Sequence, residues 1–116
     1  MPNPVVHFEI LGVNGKGLQE FYSKLFDWKI DTNNPMDYGM IEPSNGGIGG
    51  GVGQTPNMVG HLTFYVQVDD VEAYLKKAES LGGRTMMPPT QIPGNNIKVA
   101  LLSDSEGHLI GLTQAT

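Results

Sequence analysis

Val5-Val6-His7-Phe8-Glu9-Ile10-Leu11 has a counterpart later in the chain, His61-Leu62-Thr63-Phe64-Tyr65-Val66-Gln67-Val68, and this pair of stretches decides the fold. Side chains in each alternate with period two, the mark of a strand whose two faces differ. Val6, Phe8 and Ile10 oppose His7, Glu9 and Leu11, while Leu62, Phe64, Val66 and Val68 oppose His61, Thr63, Tyr65 and Gln67. A histidine opens both strands on the face away from the apolar set, and the two histidines stand 54 residues apart. Recurrence of pattern and residue at one spacing is an internal repeat.

The flanks repeat as well. Leu18, Phe21, Tyr22, Leu25 and Phe26 follow the first strand at i, i+3, i+4, i+7 and i+8, one stripe of an amphipathic helix. Asp69-Asp70-Val71-Glu72 follows the second strand as an Asp-x-x-Glu capping signal. Val71, Tyr74, Leu75, Ala78 and Leu81 then form a helical stripe that Gly82-Gly83 ends. Short strands are expected at 28–31, 38–42 and 48–52 in the first half, and at 84–87, 98–102 and 109–114 in the second. Asn33-Asn34-Pro35, Pro43-Ser44-Asn45-Gly46, Pro88-Pro89, Pro93-Gly94-Asn95-Asn96 and Asp104-Ser105-Glu106-Gly107 supply the breaks. The chain thus reads as an α+β protein of two tandem β-α-β-β-β modules, about 4–57 and 58–116. If each sheet covers its helix with one face, the other is free to line a cup, with His7 and His61 directed inward.

Composition narrows the function classes. One domain of 116 residues carries 7 basic and 12 acidic side chains, a formal charge of −5 that disfavours nucleic acid and anionic lipid as partners. It has no cysteine, so disulfides, a thiolate nucleophile and Cys-based metal sites are excluded, and any metal must take nitrogen and oxygen ligands. With neither a leader-like start nor an apolar run long enough to span a bilayer, a cytoplasmic protein without membrane contact is expected. The glycine-rich run 46–53 fails the G-x-G-x-x-G test because position 52 is valine, and it lacks the P-loop ending. A strand stripped of bulky side chains, where another group comes close, explains it better. His108, after its turn, is expected to be solvated or to cap that turn.

The segments His7-Phe8-Glu9-Ile10, Leu18-Gln19-Glu20-Phe21-Tyr22, Leu25-Phe26-Asp27-Trp28, Gly60-His61, Val68-Asp69-Asp70-Val71, Ile92-Pro93-Gly94 and Asp104-Ser105-Glu106-Gly107-His108-Leu109 together resemble the vicinal oxygen chelate superfamily. That group contains glyoxalase I, extradiol dioxygenases and bleomycin-resistance proteins, and the resemblance covers nearly the whole chain. It implies two β-α-β-β-β modules in an incomplete barrel around a divalent metal, which chelates adjacent oxygens of a substrate. His7 and His61 fall on the metal-ligand positions of the first strands. The last-strand carboxylate positions correspond to Gly111 in the second module and to the glycine-rich 47–51 in the first.

Two imidazoles alone make a poor site for a catalytic metal, so Glu9 or Glu42 would have to complete it. Glu9 is equally a candidate base for proton transfer. Thr63, Tyr65, Gln67 and Thr113 are the candidate substrate-binding residues, with Trp28, Met86 and Met87 as apolar lining or core. The expectation is a small-molecule site: a metal-dependent lyase, isomerase or dioxygenase-type enzyme using zinc, iron, nickel or manganese. The alternative is a metal-free protein that binds an antibiotic or toxic metabolite. Glyoxalase I activity itself is not expected, since both carboxylates are absent and no basic cluster marks a glutathione site. By the resemblance, the working form is a homodimer.

Overall fold

The computed structural model describes residues 2–44, 46–56, 59–94 and 96–115. Asn45 and Asn95, which belong to two of the expected turns, and the expected module boundary at 57 and 58 lie outside the described residues. The elements run β1 (Val5–Gly12), α1 (Gly15–Phe26), β2 (Ile30–Asp31), β3 (Gly39–Ile41), β4 (Gly49–Gln54), β5 (His61–Gln67), α2 (Val71–Ser80), β6 (Arg84–Gln91), β7 (Ile97–Ser103) and β8 (Leu109–Ala115). This is β-α-β-β-β twice over, as the repeat demands. Contacts divide the chain into two units, residues 7–63, and residues 64–116 together with 1–6. The N-terminal residues join the second unit through Gln67, whose backbone N–H donates to the Pro4 carbonyl at 2.9 Å.

In the unit 7–63 the strands lie in the order β2-β3-β4-β1, antiparallel except for the parallel β4–β1 pair. Asn14 caps α1, its Oδ1 accepting from Gly17 N at 3.0 Å, and Asp27 stops the helix in the left-handed conformation at φ 61°. Of its apolar stripe, Leu18 and Tyr22 are half-buried, whereas Phe21, Leu25 and Phe26 are each more than half exposed. An aromatic cluster gathers around Trp28, whose ring lies 5.4 Å from Phe8, 5.7 Å from Tyr22 and 5.1 Å from the exposed Phe26. Trp28 thus packs between β1 and α1. Gly50 accommodates this cluster, because a Cβ there would lie 2.3 Å from the Phe8 ring.

The second unit orders its strands β5-β8-β7-β6, with β5–β8 parallel and the other pairs antiparallel. Neither run of strands closes on itself. Val68, Val71, Leu75, Ala100, Leu102 and Leu112 form its core, with Val66, Tyr74, Ala78 and Ile110 packed against it. The helix cap is Asp70, one residue later than the capping signal placed it, accepting from Ala73 N at 3.2 Å. Fully buried Val71 starts the helix, and Gln114 Oε1 takes its N–H at 2.7 Å. Glu72 is consequently free of the cap and pairs with Lys98 at 3.3 Å.

Two expectations are corrected. Strand β6 does not stop at Met87 but runs through Pro88-Pro89 to Gln91. It is the outermost strand of its unit, and its register with β7 shifts between Thr85 and Met87 and again between Met87 and Thr90, so no ladder bond is asked of a proline nitrogen. The apolar face of β5 is not helix-covered throughout: Leu62 and Phe64 are 73% and 40% exposed, while α2 packs on β6, β7 and β8. No helix among the described residues is long and apolar enough to cross a membrane.

Candidate functional site

In the unit 7–63 a chain of polar side chains joins β1, the loop before β3 and the start of β5. Alternation on β1 puts His7 and Glu9 on one face, and His61 opens β5. The Tyr38 O–H donates to Glu9 Oε2 at 3.0 Å, and its oxygen lies 2.9 Å from His7 Nε2. His61 Nε2 meets the other Glu9 oxygen, Oε1, at 3.0 Å. The order is therefore His7, Tyr38, Glu9, His61. Glu9 and His61 are largely enclosed, with 13% and 23% of their side chains exposed. The alternative carboxylate, Glu42, is exposed just past β3; the acid that reaches His61 directly, and His7 through a phenol, is Glu9.

Proton counting fixes the directions. A phenol has one hydrogen, and a carboxylate only accepts. Tyr38 spends its hydrogen on Glu9, so its oxygen accepts the Nε2–H of His7. His61 likewise gives its Nε2–H to Glu9. Burial lowers the pKa of His7 from 6.5, and the neighbouring Glu9 charge opposes that only in part, which keeps this imidazole neutral at physiological pH.

Tyr38 has no counterpart among the residues singled out from sequence, and its position is built with care. Asn34 Oδ1 accepts from the backbone N–H of Met36 at 3.1 Å and of Tyr38 at 3.0 Å, and Asn34 Nδ2 donates to the Tyr38 carbonyl at 2.6 Å. Asp37, just before it, adopts a left-handed φ of 53°. Gln19 of α1 ties the loop to β4 by donating to the carbonyls of Asp37 and Val52 at 3.1 and 2.8 Å. The phenol then lies over β4, which can receive it only because Gly51 and Gly53 carry no side chain there. The glycine run signalled a close approach; nothing in the sequence named the ring.

The remaining candidates are placed as follows. Thr63 and Tyr65 are buried, at 5% and 8% exposure, Gln67 is exposed and Thr113 half-buried. Tyr65 is registered with Gly111 and Gln67 with Thr113 across β5 and β8. Met86 is exposed and Met87 half-buried on β6. His108 is solvated and closes its turn, with its N–H and Nδ1 on the Asp104 carboxylate at 2.9 and 3.1 Å.

A divalent metal needs imidazole lone pairs and free carboxylate oxygens. Here both imidazoles turn Nε2–H inward, and both Glu9 oxygens accept from neighbours. Among the described residues no group of three or more His, Asp or Glu side chains is disposed to hold an ion. As arranged, these side chains do not fit a metal; they hold one another.

Comparisons with known proteins agree with this architecture. Residues 5–112 match the family model of the Glyoxalase/Bleomycin resistance protein/Dioxygenase superfamily. Proteins named "Putative glyoxylase CFP32" from Mycobacterium bovis and Mycobacterium tuberculosis are 31% identical over 106 residues, 84% of this chain. The chain spans only 40% of the length of those relatives. Among solved structures, methylmalonyl-CoA epimerase from Mycobacterium tuberculosis superposes with a TM-score of 0.70 at 14% identity, over 97% of this chain and 87% of its own. A superfamily member from Vibrio splendidus 12B01 superposes at 0.66 with 13% identity, over 99% of this chain and 100% of its own. With two β-α-β-β-β repeats and a family match over almost its whole length, the chain belongs to the Glyoxalase/Bleomycin resistance protein/Dioxygenase superfamily.

Proposed function

We propose that this protein is an isomerase- or lyase-type enzyme for a small molecule with adjacent oxygen functions, and that it works by proton transfer at a carbon beside a carbonyl, with Glu9 as the base. The observation that supports it is the seat of the Glu9 carboxylate, mostly enclosed, with Tyr38 donating to one oxygen and His61 held against the other. A carboxylate is the ordinary acceptor of a proton in such a step, and it offers about four lone-pair sites. Its donors hold it in one orientation, which a base must have before it meets a carbon acid.

The step balances without an oxidant. Glu9 takes the proton from carbon and the C–H electron pair moves into the carbonyl as an enolate; return of the proton to the other face gives the epimer, and return to the former carbonyl carbon, with the hydroxyl proton passing to the former carbonyl oxygen as the new C=O forms, gives the positional isomer. Any N–H or O–H of the chain that turns to the enolate oxygen lowers the barrier further. The same reading takes the working form to be a homodimer, and a sedimentation profile showing only the mass of one chain removes that part of it.

The test is exchange of substrate hydrogen for deuterium in heavy water, followed by proton NMR over a panel of 2-hydroxyketones, 2-oxoaldehydes and their thiol adducts. Wild type should exchange at least one class, and Glu9→Gln should slow that exchange by about 10²-fold or more. Exchange that survives the substitution refutes the assignment of Glu9. Binding without exchange across the panel refutes the enzyme and leaves a protein that sequesters antibiotics or toxic metabolites.

A further inference from the structure

The glycines under the two tyrosines carry the reading further. A Cβ built on Gly51 would lie 1.9 Å from both Cζ and the hydroxyl oxygen of Tyr38, so no side chain at 51 coexists with that ring. Gly51 is the register partner of Glu9, and the hydroxyl it would strike is the one bonded to His7 and Glu9. A residue at 51 would therefore aim its side chain into the middle of the polar chain, where Tyr38 stands instead. The second unit repeats the device: a Cβ on Gly111 would lie 2.4 to 2.7 Å from the ring of its register partner Tyr65. Gly111, which the resemblance sets at one carboxylate position, and Gly51, within the stretch 47–51 that it sets at the other, are thus glycines whose place is taken by a tyrosine ring.

The charge balance of the site changes with that exchange. An acid at 51 would add an anionic oxygen donor beside two imidazoles; a phenol adds a neutral group that gives a hydrogen to Glu9 and takes one from His7. Metal ligation needs deprotonated donors, so the phenol closes the site to a divalent cation in two ways: it occupies the place, and it fixes His7 as the Nε2–H tautomer.

We propose that Tyr38, seated on Gly51, is a positioning residue that replaces a metal-binding carboxylate and makes the His7–Tyr38–Glu9–His61 site metal-independent. The inference concerns how the site is held together, and its test reads metal uptake and tautomer. It therefore stands or falls separately from turnover by Glu9.

Two measurements test it. Wild type and the double variant Tyr38→Gly/Gly51→Glu are titrated with cobalt(II) alone, uptake being read from the visible ligand-field bands and from elemental analysis after desalting. Wild type should keep no more than trace cobalt. The folded double variant should bind it at least about tenfold more tightly, and adding His7→Ala should abolish the gain. Stoichiometric cobalt on wild type that is lost in His7→Ala overturns the proposal, and so does a folded double variant that binds no better than wild type. Should the double variant fail to fold, nitrogen-15 NMR of the histidine rings decides. Wild-type His7 should be the Nε2–H tautomer, and Tyr38→Phe should shift its Nε2 resonance by removing the acceptor. Wild-type His7 protonated on Nδ1 alone overturns the proposal.

Discussion

Substituting Gly51 by alanine tests whether the Tyr38 ring is held where it is by its bonds or merely fills space. The added methyl would sit 1.9 Å from the phenol, far inside any real contact, so the ring must leave. Leaving breaks the bond to the Glu9 carboxylate, about 1.5–3 kcal/mol for a charged acceptor, and the bond with His7, about 0.5–1.5 kcal/mol. Replacing glycine within a strand returns roughly 0.5–1 kcal/mol. The net expected loss is about 1–4 kcal/mol, a large share of the 5–15 kcal/mol that typically holds a domain together. Urea unfolding followed through the fluorescence of Trp28, which packs in the same unit, should show the midpoint falling by about 1–2 M for an ordinary slope. In a Tyr38→Ala background the clash is gone, and the same Gly51→Ala change should be stabilising by roughly 0.5–1 kcal/mol. The double-mutant cycle should therefore return the two lost bonds as a coupling of about 2–4.5 kcal/mol. A Gly51→Ala loss below about 0.5 kcal/mol, or an equal loss in both backgrounds, refutes the reasoning.

Three further outcomes follow from the same structure. Asn34→Ala removes the bracket on Met36 and Tyr38 and should cost about 1–2 kcal/mol in urea unfolding, with the His7 ring resonances broadening or moving as Tyr38 loosens. His7 has its folded pKa lowered from 6.5 by burial, so between the two values the unfolded chain binds the extra proton. That contribution to stability is complete above about pH 6.5 and is lost as pH falls toward the lowered value; melting from pH 8 to 5 should slope less in His7→Gln than in wild type. Gln114→Ala leaves the buried first N–H of α2 without its acceptor and should lower stability by about 1–3 kcal/mol by thermal or urea unfolding, with no effect on cobalt uptake in any variant.

The repeat was legible because alternation and helical spacing are local properties, and the same order of elements came out twice. His7, Glu9 and His61 could be read for the same reason: each occupies a fixed phase of a strand whose faces differ. What escaped were features set by residues distant in sequence. Tyr38 reaches the site only because a loop closed by Asn34 and Gln19 lays it on a glycine strand, and no spacing encodes that contact. The prolines of β6 looked like a break because proline cannot serve a central strand, whereas position at the edge of a sheet is a tertiary property. The capping signal erred by one residue because two adjacent aspartates compete, and burial of Val71 decides between them. Leu62 and Phe64 looked covered because alternation tells which residues share a face, not what lies above it.

Strand β6 also bears on how copies of this chain can meet. A bare outer strand is a template on which a second molecule can extend the sheet, the route to runaway association in β-rich proteins. Pro88 and Pro89 stand back to back in the middle of this one, within the gap in its register with β7. Two successive residues without an N–H deny an incoming strand consecutive donors and force a kink in any ladder it begins. The pair that looks like a fault in the pattern thus acts as a guard against open-ended polymerisation along that margin.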